Sequence, residues 1–214
     1  MASDVSWHWD IRLKEYLDAD WSHSPSPFVQ VVLPYLPKSG TVLEIGAGAG
    51  QDSIWLASKG FDVTCTDSND IAFAEILNRS KSAGGKLKVQ IIDATKPMPF
   101  KDSSFDCVYA QLSLHYFNDK ITHAMFAEIH RVLKPGGVLA IMMNSLDDPE
   151  YDLTQLNSEG LMNIKGLRKR YFSTNSLQNY VNDYKTILID DNGRTPKDDA
   201  KHNSGMIRFI GKKI

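Results

Sequence analysis

VLEIGAGAGQD, residues 42 to 52, is the stretch on which the fold turns. An apolar run broken by Glu44 ends in Gly46, Gly48 and Gly50, spaced two apart, and an amphipathic stretch begins at Gln51. A strand that ends in glycines and feeds a helix is the nucleotide-binding turn of doubly wound sheets. Missing side chains let the backbone take unusual dihedrals and let a ligand approach it beside the helix N-terminus.

Outward from this stretch the chain keeps alternating. β-rich runs at 41–45, 62–66, 86–92, 105–110 and 138–143 are separated by amphipathic segments at 51–59, 69–80 and 120–133. Five strands alternating with helices predict a parallel sheet covered on both faces, because right-handed crossovers put the helices there. Runs at 186–190 and 206–212, joined by the turn-like DNGRTPKDD, predict an antiparallel pair at one edge. Helical patterns at 7–17 and 27–36 come first. The expected fold is α/β, a doubly wound, mostly parallel seven-stranded sheet in one domain. Its parts are an N-terminal helical cap over 1–38, a cofactor-binding core over 39–143, a substrate lid over 144–172 and a C-terminal helix and hairpin over 173–214.

Composition bounds the function. The 214 residues, 42% hydrophobic and 23% charged, suit one globular domain. A formal net charge of −2 offers no overall attraction to nucleic acid or an anionic membrane, and no segment is long enough to span one. The opening MASDVSWHWD carries acids and lacks the apolar core of a secretory signal. Cys65 and Cys107 each sit in a strand-like apolar run, which predicts free thiols and a cytoplasmic location. Asp147, Asp148 and Glu150 read as a solvated turn, with no convergent partners for a metal.

Two features choose among ligands. The dinucleotide pattern G-x-G-x-x-G would need glycine at 51, where this chain has Gln51. Glu44 is also a poor neighbour for a pyrophosphate. A cationic ligand without phosphate fits better, and S-adenosylmethionine has a sulfonium, an ammonium, an adenine and a free ribose. Asp67, 21 residues beyond Gly46, can accept from both ribose hydroxyls. Asp93 can accept from the adenine amine, with the Ala94 backbone at the ring edge.

With these residues in place, the chain resembles the class I S-adenosylmethionine-dependent methyltransferases. The matching segments are LEIGAGAG, VTCTD, IIDA, FDCVYAQLSLHY and EIHRVLKPGGVLAIMM, over roughly residues 40–145. The edge hairpin is also similar to that family, and size and layout resemble its small free-standing tellurite-resistance and thiopurine-type members. The resemblance implies methyl transfer by in-line displacement to a small-molecule acceptor, with S-adenosylhomocysteine as product, no metal, and a monomer or homodimer. It implies cofactor contacts at Glu44, Gly46, Ala47, Gly48, Gly50, Asp67, Ser68, Asp93, Ala94 and Gln111.

Specialised branches fit less well. Enzymes that methylate adenine or glutamine amines carry an Asn or Asp, two prolines and an aromatic after the fourth strand, where this chain has Ala110, Gln111, Leu112 and Ser113. Cys107 lies mid-strand without the preceding proline of cytosine-C5 enzymes, which argues against covalent catalysis. Two alternatives stand beside methyl transfer. One is an NAD(P)-dependent oxidoreductase, disfavoured by Gln51, Glu44 and the 40 residues before the first strand; the other is a catalytically silent cofactor-binding module.

Several residues carry paired readings. His115, after the fourth strand, is the candidate general base, with loop packing as its competitor. Trp7, Trp9, Tyr16 and Trp21 either cover the cofactor and acceptor or pack the cap onto the sheet, and Trp55 reads as core. LRKRY at 167–171 either clamps an acidic substrate through Arg168, Lys169 and Arg170 or is a solvated charge run before a helix capped by Ser173. No basic segment interleaved with aromatics suggests a nucleic-acid partner.

Overall fold

The computed structural model describes residues 6–195 and 205–214, apart from the side chains of residues 6–9. The central elements are β1 (Thr41–Ile45), α3 (Gln51–Ser58), β2 (Asp62–Asp67), α4 (Phe73–Ser82), β3 (Lys86–Ile91), β4 (Phe105–Gln111), α5 (Asp119–Val132) and β5 (Leu133–Asn144). Before them lie α1 (Ser6–Leu17) and α2 (Pro27–Val32), and after them β6 (Met162–Ile164), β7 (Leu167–Lys169), α6 (Thr174–Gln178), β8 (Tyr184–Asp190) and β9 (Met206–Lys213).

Seven strands form one sheet in the order β3-β2-β1-β4-β5-β9-β8. The pairs from β3 to β5 are parallel, and β9 is antiparallel to both β5 and β8. The chain leaves β1 toward β2 on one side and returns to β4 on the other. The connections leaving their carboxyl ends therefore diverge, the arrangement that places a crevice above β1 and β4.

Alternation along each strand builds two cores. Leu43, Ile45, Val108, Ala110, Leu139 and Ile141 point to one face and pack on Met125, Phe126 and Ile129 of α5. Val42, Cys107, Tyr109, Ala140 and Met142 point to the other and pack on Phe28, Val29 and Val32 of α2 and Leu56 and Ala57 of α3. With helices on both faces, strand interiors can be apolar throughout, as in the wholly buried run of β5 from Val138 to Met143. Each free cysteine, Cys65 and Cys107, is buried.

Boundaries shift where side chains compete with the backbone. Helix α4 starts at Phe73 rather than 69 because Asp67 accepts from the Asn69 N–H at 3.1 Å and Asn69 from the Ile71 N–H at 2.8 Å. Two such turns delay helix entry. The second N-terminal helix ends in a 3-10 turn at Leu33–Tyr35, where Pro34 sits. The edge pair is present, but β9 is inserted between β5 and β8, so only β8 lies at the margin. In the joining turn, residues 196–204 lie outside the described residues.

The segment 144–172 holds a 3-10 turn at Leu153–Gln155 and the small β6–β7 hairpin. Its acids are not all solvated. Asp148 is 8% exposed and accepts from the N–H groups of Glu150 and Gly205, tying this segment to the start of β9. Lys169 pairs with Glu150 at 2.6 Å, and Arg170 pairs with Asp119 while lying over Phe172 and Tyr180. Of the basic run, Arg168 is exposed and Lys169 and Arg170 are half-buried. Ser173 caps α6 in a reciprocal pair with Ser176.

Candidate functional site

The site is built from the carboxyl ends of β1, β2 and β4. All three glycines of the opening turn have positive φ: +71° at Gly46, +57° at Gly48 and +73° at Gly50. Two of them also make room for protein. A Cβ on Gly46 would stand 2.3 Å from Cβ of Ser113, and one on Gly50 would stand 2.5 Å from Ile76. Only Gly48 is open, its nearest neighbour being Leu13 of α1 at 3.8 Å. The bare backbone thus admits the turn after β4 and helix α4 as well as any ligand. Gly46 and Ala47 both donate to the Thr66 carbonyl at 2.9 Å, fastening the turn to β2.

Asp67, the last residue of β2, accepts from the Gly48 N–H at 2.9 Å, with Ser68 and Asn69 at its other oxygen. Burial raises its pKa in spite of these donors. Asp93 lies in an exposed turn past β3. Some burial opposes its ionisation, but Thr95 and Lys96 outweigh it and hold the carboxyl below its usual range. Ala94 follows it, partly buried against the α5-side core. An adenine amine would therefore meet a carboxylate already bonded within its own turn.

Glu44 faces α3 from inside the sheet, 3% exposed, and its carboxylate takes the Ser53 hydroxyl. Asp52, in the first turn of α3, is 2% exposed. It accepts from the Ser26 N–H at 2.7 Å, the Ser26 hydroxyl at 2.8 Å and the Tyr109 hydroxyl at 2.7 Å. The Tyr109 hydroxyl also lies 2.7 Å from the Gln111 Oε1 position. Burial pushes both acids up, and Glu44 further because it also faces Asp52. Asp52, Ser26 and Tyr109 were not among the expected site residues. They lie 26 and 57 positions apart, and no local pattern joins a helix-start acid to either partner.

His115 is 2% exposed, its Nδ1 has no partner, and its carbonyl accepts from the Arg170 N–H at 2.7 Å. Burial, with Lys169 nearby, lowers its pKa to about 3. The buried ring packs 4.3 Å from Tyr116, as the packing reading of this residue has it, and its lowered pKa makes it a weak base. Gln111 and Ser113 are less buried than His115, and Ser113 is fixed by donating to the Ile45 carbonyl at 2.6 Å.

The N-terminal segment covers these strand ends. Leu13 of α1 stands over Gly48, Asp10 takes the Asn69 amide, and Arg79 of α4 donates to the Ser22 carbonyl at 2.6 Å. Tyr16 and Trp21 meet edge to face at 5.0 Å. The side chains of Trp7 and Trp9 lie outside the described residues. Trp55 packs against the α3-side core beneath Lys59.

The donor set suits S-adenosylmethionine. The Asp67 carboxylate stands at the end of β2, Gly48 leaves backbone open to a ligand, and the nearby Arg79 guanidinium is turned to carbonyls rather than toward a phosphate. Among the described residues no group of three metal-ligating side chains occurs, and no helix is long and apolar enough to cross a membrane.

Comparison with known proteins agrees. Residues 42–137 match the family described as methyltransferase domain. An uncharacterized methyltransferase of Synechocystis is 30% identical over 107 residues, which is 47% of this chain and 45% of that protein. A demethylmenaquinone methyltransferase of Leptospira interrogans is 35% identical over 101 residues, 45% of this chain and 40% of that one. The chain thus spans less than half the length of these curated relatives. The solved structure of Burkholderia thailandensis 1,6-didemethyltoxoflavin-N1-methyltransferase, with its substrate and S-adenosylhomocysteine bound, superposes with a TM-score of 0.73 at 19% identity, over 99% of this chain and 86% of that one. These comparisons lend no support to a dinucleotide oxidoreductase or to a silent module. Residues 42–137 thus match a methyltransferase domain, and the chain has the fold of solved S-adenosylmethionine-dependent methyltransferases.

Proposed function

We propose that this protein transfers the methyl group of S-adenosylmethionine to a small-molecule acceptor by in-line displacement. One observation carries the reading: the glycine turn at the end of β1 is joined through Gly48 to Asp67 at the end of β2, within the segment that matches the methyltransferase family. The bound cofactor supplies a methyl group on sulfonium, already a strong electrophile.

The protein's share is alignment and exclusion of water. Asp67 takes the ribose hydroxyls, and the turn at Gly46, Ala47, Gly48 and Gly50 cradles the amino-acid portion. Ser68 and Ala94 flank the nucleoside, with Asp93 beside the adenine, and Gln111 faces the reacting end. Glu44 acts from below, holding the first turn of α3 through Ser53. Residues 1–38 act as a cap and 144–172 as the acceptor-side lid. A small acceptor is supported by the relatives named for a demethylmenaquinone and a didemethyltoxoflavin. Two buried free cysteines support a reducing compartment.

Titration calorimetry with S-adenosylhomocysteine, NAD and NADP in parallel tests the reading. Binding of the homocysteine product alone is expected; binding of a dinucleotide alone would remove it. An acceptor screen with labelled cofactor follows, and cofactor binding without transfer to any acceptor would favour the silent module instead.

A further inference from the structure

The buried chain from Asp52 to Gln111 holds a proton-counting problem whose solution bears on cofactor recognition. Asp52 is met by three donors, the N–H and hydroxyl of Ser26 and the hydroxyl of Tyr109. The Ser26 oxygen is already occupied in capping α2, where it accepts from the Val29 N–H at 3.1 Å, so its own proton is free to go to Asp52. Tyr109 stands 2.7 Å from Asp52 Oδ2 and 2.7 Å from the Gln111 Oε1 position, two acceptors, yet a phenol has one proton. An ionised carboxylate can only accept. With the Tyr109 proton donated to Asp52, the phenol oxygen can only accept, so the network is satisfied by turning the Gln111 amide end for end from its placed orientation, which brings the nitrogen rather than Oε1 to the phenol.

The ionised member of the acid pair is Asp52. It has three donors and lies in the first turn of a helix, where the helix dipole favours negative charge. Glu44 has only Ser53 and faces the Asp52 charge, so a proton held by the pair resides on Glu44.

We propose that Asp52 and Tyr109 form a buried relay that turns the Gln111 amide so that its carbonyl oxygen faces the crevice and accepts a hydrogen bond from the cofactor's α-ammonium group. This rests on the methyltransferase reading above. Gln111 is the last residue of β4, opposite Met142 of β5. Beyond it Leu112 turns at φ +55° and Ser113 is tied to Ile45, so the backbone is fixed and the amide orientation is what the relay decides. Among the described residues the other end of the amide has no protein partner. A carbonyl oxygen there needs a donor, and of the cofactor's charged groups only the ammonium carries N–H; the sulfonium and the carboxylate have none. The ribose hydroxyls belong with Asp67, two strands away. Asp52 and Tyr109 are thus positioning residues that act through Gln111.

The test is titration of S-adenosylhomocysteine, which keeps the ammonium, into four proteins: the natural chain, Tyr109→Phe, Gln111→Leu, and Tyr109→Phe combined with Gln111→Glu. Without its phenol the amide is free to turn, and Tyr109→Phe should weaken binding about tenfold; Gln111→Leu should weaken it at least as much, the scale of a hydrogen bond to a charged group. Glutamate presents oxygen whichever way it turns, so the double variant should recover to within about threefold of the natural chain. A relay that merely supports the fold would not be rescued. Unchanged binding in Tyr109→Phe, or a double variant as weak as the single, overturns the proposal. Should Tyr109→Phe fail to fold by circular dichroism, Gln111→Leu against Gln111→Glu decides: equal affinities overturn the proposal, and loss in the leucine variant alone supports it. A natural chain that binds no S-adenosylhomocysteine refutes the methyltransferase reading itself.

Discussion

The glycine turn at 46–50 and the segment 144–172 both lie at the carboxyl edge of the sheet, yet they are held in different ways. The turn is fixed by backbone that few residue types allow: three left-handed glycines, two of them pressed against Ser113 and Ile76. The later segment is fixed by polar side chains that fold back on the chain. Asp148, Asp152, Asn157 and Asn163 each accept from nearby N–H groups, and Lys169 and Arg170 pair with Glu150 and Asp119. A steric requirement marks the sequence at specific letters. A polar one is met by many letters in many places, and so leaves a fainter trace.

That contrast ranks the expected effects of substitution. Gly46→Ala should be the most damaging, about 3 to 5 kcal/mol of stability, because left-handed strain and a clash with Ser113 add together. Thermal unfolding would show it, and partial recovery in the pair Gly46→Ala with Ser113→Gly would separate clash from strain. Equal tolerance of alanine at Gly46 and at the open Gly160 would break the comparison. Asp67→Ala should cost about 1.5 to 3 kcal/mol of S-adenosylhomocysteine affinity by calorimetry; unchanged affinity in the folded variant removes Asp67 from the site.

His115 touches both regions, since its carbonyl holds Arg170. Its ring is neutral in the folded protein down to about pH 3, whereas the unfolded chain takes a proton near the ordinary value of 6.5. Stability from this group is complete above pH 6.5 and lost as pH falls toward 3, by about 2 kcal/mol between pH 7 and pH 5. Denaturant titrations at the two values should show this fall, and His115→Phe should lack that part of it. Asp148→Ala should cost about 1 to 2 kcal/mol, since the N–H groups of Glu150 and Gly205 lose their acceptor. Arg168→Ala should be the mildest, within about 0.5 kcal/mol in stability. A large loss of acceptor binding in Arg168→Ala would restore the clamp reading of the basic run.

The same contrast accounts for what could be read in advance. Strand β1 occupies 41–45 as the pattern has it, and α3 begins at Gln51, because burial on two faces and a glycine entry leave little freedom. The sheet class followed from such periods. The place of Asp67 at the end of β2, beside the turn, was legible from its distance past the glycines. Asp148 was not, because an acid beside proline reads as solvated until Gly205, 57 residues away, is brought against it. The network of Ser26, Asp52 and Tyr109 escaped for the same reason: each residue is ordinary where it stands, and only folding makes them neighbours. His115 was legible as a position but its burial was not, since depth of burial is a property of the whole packing.

The placement of β9 also sets an order of events during synthesis. Strand β5 ends at Asn144, but the strand that covers its outer edge begins at Met206, so the ribosome must deliver more than sixty further residues before that edge is closed. Until then the nascent protein carries a long apolar strand with one row of amides and carbonyls unpaired, the kind of edge that recruits other chains. Segment 144–172, the Ser173-capped α6 and the β8 strand all emerge during that interval. The newborn chain is thus most in need of a chaperone after the cofactor half of its sheet has been made and before β9 arrives.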